Sequence, residues 1–107
     1  MEKIRIQFTL FSAFYSPLIS TMSGGFLKAE GLEPEWSVAP PGVSALAALK
    51  DGAAHVAQSA LSQGFTTLDK GQTPEAVHFA QVNEMDGFFL TGRKPDPGFT
   101  WDKLEGA

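Results

Sequence analysis

Gly31 stands at a joint that leaves this chain few folds to choose from. The run Gly25-Phe26-Leu27-Lys28-Ala29-Glu30 before it reads as the end of a helix, and Leu32-Glu33-Pro34-Glu35-Trp36 after it reads as extended. Glycine takes the positive φ of a helix C′ position at little steric cost, and Leu32 just beyond it can pack back on the helix. A helix therefore hands directly into a strand.

The flanking pattern repeats that joint. Ile4, Ile6, Phe8 and Leu10 alternate with Arg5, Gln7 and Thr9, the period of a first strand with two unlike faces. Ser16-Pro17 supplies an N-cap and a proline at the first helical position, and Leu18, Ile19, Met22 and Phe26 form the apolar stripe of the helix that follows. Gly24-Gly25 weakens its last turns by roughly 1 kcal/mol per glycine, and close packing is the expected reason for Gly25. Residues 33–39 are expected to form a second strand, with Pro40-Pro41-Gly42 as a loop. Residues 43–50 are expected as a short helix stopped at Asp51-Gly52, and residues 54–60 as a third strand. Leu61, Phe65 and Leu68 continue as a helix ending at Gly71. Residues 75–82 and 87–91 are expected as two more strands, the latter carrying Phe88-Phe89-Leu90. Alternating strands and helices predict an α/β fold: a three-layer, open, mostly parallel sheet flanked by helices.

A chain of 107 residues with 43% hydrophobic residues and nine Phe can bury a core, and no linker or internal repeat divides it. A formal charge of −4 with scattered acidic residues lacks the footprint of a nucleic-acid binder. The absence of cysteine excludes disulfides, thiolate zinc sites and thiol nucleophiles. No apolar run approaches the roughly 18 to 20 residues that span a bilayer, and charged residues interrupt the first six positions where a signal peptide would start.

In an open α/β sheet, ligands bind outside the carboxyl ends of the strands, where loops meet helix N-termini that favour anionic or polar groups. Three loops qualify: 11–16, 39–43 and 58–61. Phe14 and Tyr15 can stack on a solute or simply pack in an aromatic interior, and Ser16 is either a contact or a cap. Pro41 and Gly42 belong to the second loop. Gln58 and Ser59, able to donate and accept, end the third strand, although Ser59 or Ser62 could instead cap the next helix. Gln81 and Asn83 reach the same edge from the end of the fourth expected strand. His78, between Val77 and Phe79, fits a hydrogen-bonded structural role better than a ligand or base. No triad, P-loop, paired-carboxylate or metal-ligand spacing occurs, so no catalytic residue, metal or cofactor is expected.

The ordered set of Gly25 to Trp36, Leu49-Lys50-Asp51-Gly52-Ala53-Ala54-His55-Val56 and Trp101-Asp102-Lys103-Leu104-Glu105-Gly106 resembles the solute receptors of ABC importers. The branch it is most similar to is the alkanesulfonate, nitrate and thiamine-pyrimidine-precursor group of type II periplasmic binding proteins. The resemblance implies that residues 1–107 are a partial N-terminal lobe, with a second lobe and a C-terminal return segment lying outside this sequence. It implies binding of a small organic or anionic solute, delivery to ABC permease subunits and no reaction of its own. It places polar ligand contacts at Gln58 and Ser59. It also implies a periplasmic or extracytoplasmic location, whereas the missing signal peptide fits a cytoplasmic one. His55 departs from the aspartate usual in that family. The rival is a cytoplasmic enzyme of the same superfamily, resembling pyrimidine-precursor synthases or menaquinone-pathway enzymes. The absence of cysteine departs from the synthases' cysteine-rich motif, and no Lys-His constellation is present.

Overall fold

A computed structural model describes residues 1–74, 76–85 and 87–106. Strand β1 (Glu2–Phe8) is followed by a 3₁₀ turn (Ala13–Tyr15) and by helices α1 (Ser16–Ser23) and α2 (Phe26–Ala29). Strand β2 (Leu32–Val38), helix α3 (Leu46–Lys50) and strand β3 (Val56–Gln58) come next. A 3₁₀ turn (Leu61–Gly64) then runs into helix α4 (Phe65–Asp69), and a last 3₁₀ turn covers Trp101–Leu104. The strands form one parallel sheet in the order β2-β1-β3. The chain passes from central β1 out to β2, then back across β1 to β3. Parallel crossovers are right-handed, so this reversal sends α1 and α2 to one face and α3 to the other.

The alternation in β1 produces the core. Ile6 and Phe8 are buried on one face, Ile6 in register with Trp36 and Val56, and Phe8 with Val38 and Gln58. Phe11 stacks on Trp36 at 4.5 Å between centroids, and both meet Phe8 edge-on, at 5.3 and 6.2 Å. Ala39, Ala45, Ala48 and Ala54 complete this interior, their small side chains letting α3 lie close to the sheet.

Gly31 has φ +78°, and its N–H donates to the Lys28 carbonyl while its own carbonyl accepts the Glu2 N–H. One residue thus ends α2 and opens the β1–β2 pairing. The single helix expected after Ser16 is instead two. Gly25 adopts φ +82° in open space, so its glycine is required by backbone conformation and not by close packing. The close approach falls at Gly24, where a Cβ would sit 2.7 Å from the Ser20 carbonyl oxygen. Ser16 is also not the cap: it is the first residue of α1, with Pro17 second, and its hydroxyl donates to the Ala13 carbonyl. The side-chain cap belongs to the 3₁₀ turn before it, where Ser12 Oγ accepts the Phe14 N–H at 3.0 Å; α1 itself begins after Tyr15 with no side-chain cap.

Helix α3 starts three residues later than expected because Ser44 Oγ accepts the Leu46 N–H at 3.2 Å, an end-of-turn bond that fixes the helix start there. The third strand shrinks to three residues. At its entry His55 takes over the ladder: its Nδ1 accepts the Arg5 N–H at 3.0 Å while its own N–H donates to the Arg5 carbonyl at 2.9 Å. The Arg5 guanidinium donates to the carbonyls of Ala53 and Gly52, pinning the same turn.

The strands expected over 75–82 and 87–91 are not formed among the described residues, and Glu75 lies outside them. A strand needs a ladder partner, and the sheet ends at β3. Val77, Phe79, Phe88 and Phe89 are accordingly exposed despite their β-type composition. The radius of gyration, 18.0 Å, exceeds the roughly 13 Å of a compact domain near this length.

On the solvent side, Lys3 pairs with Glu35 across β1 and β2. The hydrogen bond and charge attraction hold the Glu35 carboxyl below its ordinary value and the Lys3 ammonium above its own. The Glu35 contribution is full above the ordinary carboxylate range and is lost as pH falls through its lowered value. The Lys3 contribution is full below the ordinary ammonium range and is lost as pH rises through its raised value. In a pH series of urea midpoints, Glu35→Gln should therefore lower the neutral plateau slightly and converge with the unmodified protein at both the acid and the alkaline limb, with high salt erasing the difference. An unchanged profile in low salt would remove this pair from the stability account.

Candidate functional site

In the order β2-β1-β3 the chain switches direction around β1, so the carboxyl ends of β1 and β3 flank the natural crevice. Thr9 follows β1 there and Gln58 ends β3. The Thr9 N–H is shared between the Gln58 carbonyl and Gln58 Oε1, each at 3.2 Å, and the Thr9 hydroxyl donates to the Gln58 carbonyl at 2.8 Å. Gln63, in the turn after β3, donates from Nε2 to Thr9 Oγ1 at 3.4 Å, and Ser44 Oγ donates to Gln63 Oε1 at 3.2 Å. Four polar residues from three loops thus share one network. Among the described residues Gln58 is the one buried polar residue, at 8% exposed.

Along the outer edge of β3 runs an open cleft of about 1880 Å³. It is lined by residues 54–61, by residues 72–74 and 76–85, and by Phe14 and Tyr15 from the first loop, with further lining from the α3 and α4 segments. Small-molecule sites occupy roughly 300–1,000 Å³, so a solute would fill only part of this groove. Tyr15, Ser44, Gln58, Ser59 and Gln63 are all among its lining residues, and of these Ser44, Gln58 and Gln63 belong to the network centred on Thr9.

Phe14, Tyr15, Gln58, Ser59 and Asn83 all line the cleft. Phe14 and Tyr15 meet edge-on at 5.2 Å. Asn83 reaches the edge by a route other than a fourth strand: its Nδ2 donates to the Phe14 carbonyl at 2.9 Å, tying the 76–85 stretch to the first loop. Gly87 supports the same contact, since a Cβ there would lie 2.5 Å from the Phe14 ring. Ser16, Pro41 and Gly42 do not line the cleft. Ser16 faces back to Ala13, while Pro41 and Gly42 are the central residues of a type II turn closed by the Val43 N–H on the Pro40 carbonyl, with Gly42 at φ +75°. His55 and His78 also line the groove, and among the described residues no cluster of His, Cys, Asp or Glu could hold a metal ion.

Thr9, Ser44 and Gln63 were not singled out by sequence. The available signal was position: Thr9 is the first residue past the β1 alternation, and Gln63 lies in the first turn after β3, both at the edge where the topology puts ligands.

With this geometry in place, a relative among curated proteins becomes informative. The chain is 28% identical over 106 residues to "Putative binding protein YtlA" of Bacillus subtilis (strain 168). The match takes in 99% of this chain and 32% of that protein, so the chain spans about a third of its relative's length. No family model matches the chain, and no solved structure does. Among the described residues no helix is long and apolar enough to cross a membrane.

Proposed function

We propose that this chain is one wall of a solute-binding cleft: the N-terminal lobe of a receptor of the alkanesulfonate, nitrate and pyrimidine-precursor type. In this reading it holds a small organic or anionic solute outside the cytoplasm and presents it to ABC permease subunits. The observation that carries the reading is Gln58, a polar side chain nine-tenths buried at the carboxyl end of β3 and held there by Thr9. A buried amide fixed at the ligand edge of a parallel sheet suits recognition, and the Ser59 and Tyr15 hydroxyls, on residues lining the same cleft, add neutral partners. The similarity to a protein named for binding supports the same reading.

The test is thermal denaturation of the protein with a panel of sulfonates, nitrate, aromatic acids and pyrimidines, each followed by chromatography of the mixture. A bound solute at a hundredfold excess over its Kd stabilises the folded state by about 2.7 kcal/mol, enough to raise Tm by several degrees in a domain this small. The expected result is a raised Tm for at least one solute with the solute recovered unchanged. Product that accumulates with purified protein and disappears on His55→Ala or His78→Ala would favour the enzyme of the same superfamily instead.

A further inference from the structure

We propose that His55 is an acid-sensitive latch on the amino end of β3, closed while its imidazole is neutral and released when the ring takes up a proton. The inference concerns how the strand that lines the cleft is held, and it stands apart from what the cleft binds.

Strand β3 has three residues and pairs with β1 alone, so the joints at its two ends carry much of its attachment. At the carboxyl end the Gln58 carbonyl accepts the Thr9 N–H at 3.2 Å and the Thr9 hydroxyl at 2.8 Å. At the amino end the holding residue is His55. Its N–H donates to the Arg5 carbonyl at 2.9 Å, an ordinary backbone bond. The return bond is made by a side chain, since the Arg5 N–H donates to His55 Nδ1 at 3.0 Å. A backbone N–H can only donate, so Nδ1 must offer its lone pair and the ring proton sits on Nε2. The two joints thus differ in kind. Neither Thr9 nor Gln58 titrates, whereas the Arg5–His55 joint depends on a group that does.

Histidine is the side chain whose ordinary charge change falls between about pH 5 and 8. In the imidazolium both nitrogens are donors, and an Nδ1–H would face the Arg5 N–H. His55 is exposed, so the charged ring can turn into water and leave the Arg5 N–H to a water molecule. Neighbouring charge works in the same direction. The Arg5 guanidinium donates to the carbonyls of Ala53 and Gly52 at 2.9 and 3.1 Å, in the turn that leads to His55. The other charged or titratable groups on the elements around it are Lys50 and Asp51 at the end of α3, and His78 and Glu84, which line the same cleft. No ion pair among the described residues includes His55, so no carboxylate fixes the charged ring in place. Because the bond belongs to the neutral ring, its contribution is present on the alkaline side of the histidine range and is lost as pH falls through it.

The experiment follows the ¹⁵N-labelled protein by NMR from about pH 8 to about pH 5, across the histidine range. At the alkaline end the expected result is a His55 ring protonated on Nε2, with a scalar coupling through the hydrogen bond between the Arg5 amide nitrogen and His55 Nδ1. On acidification the coupling should vanish and the hydrogen-exchange protection of the Arg5 amide should fall severalfold, the loss expected for one hydrogen bond. The Thr9 amide should keep its protection. His55→Asn puts a carboxamide oxygen in place of Nδ1, an acceptor at any pH, and should keep Arg5 protected throughout. His55→Phe should leave Arg5 unprotected at both ends. His78→Gln should keep the full pH response, which separates the latch from the other histidine of the cleft. If neither His55 variant folds, the coupling in the unmodified protein still decides. A ring protonated on Nδ1 at the alkaline end, Arg5 protection that does not change with pH, or an equal fall in His55→Asn would overturn the latch.

Discussion

Phe8→Ala is expected to remove about 3–5 kcal/mol of stability, the range for deleting a fully buried aromatic side chain. Phe8 is 0% exposed, the largest side chain sealed from solvent, on the central strand, with Phe11 and Trp36 resting edge-on against it. Removing the ring would leave a cavity beneath two aromatic neighbours that are themselves partly open to water, and would undo the contacts that orient them. Natural domains carry only about 5–15 kcal/mol in total, so the variant should be largely unfolded in modest urea. Urea denaturation followed by tryptophan fluorescence reads this, with Trp36 as a direct reporter of the cluster. Ile4→Val, on the same strand but at a half-buried position, should lose only about 0.5–1.5 kcal/mol at most. Equal losses at the two positions would mean that the core does not centre on Phe8.

Gly31→Val is expected to be the next most damaging change. With φ +78°, the position lies in the left-handed region, where an L-residue is penalised by roughly 1–2 kcal/mol and a β-branched one by more. Gly31 also joins α2 to the first backbone bond of the β1–β2 pairing, so strain there spreads to both elements. Gly31→Asn should recover part of the loss, because asparagine tolerates this conformation. Gly64→Ala is the contrast: its φ is −78° with open space around the missing Cβ, and the substitution should be neutral or stabilise by about 0.4–1 kcal/mol. A Gly31→Val protein as stable as Gly64→Ala would show that the turn takes another conformation in solution.

These positions also show where the sequence was legible. The Gly31 joint and the alternation of Ile4, Ile6 and Phe8 are local signals, set by backbone sterics and by the two-residue period, and both appear in the fold where the pattern puts them. Residues 76–82 and 87–91 have strand-like composition, but pairing is not local: a β-rich run becomes a strand only where an edge receives it. The break at Gly24-Gly25 was visible as weakness, yet which glycine is crowded and which is left-handed depends on how Phe26 folds back on the preceding turn. At the site, Gln58 and Ser59 could be named because a topological rule points to strand ends. The network that orients Gln58 could not, since Thr9 and Gln63 join it only once β1 and β3 lie side by side.

The account centres on the carboxyl edge of this sheet as the place where a solute binds. A crystal structure of the protein with any solute that raises its Tm tests that claim most directly. The account predicts the solute at the carboxyl edge, beside Tyr15, Gln58 and Ser59 and within hydrogen-bond distance of the Gln58 side chain. A solute lodged at the opposite edge, beside Glu2, Gly31 and His55, would contradict it.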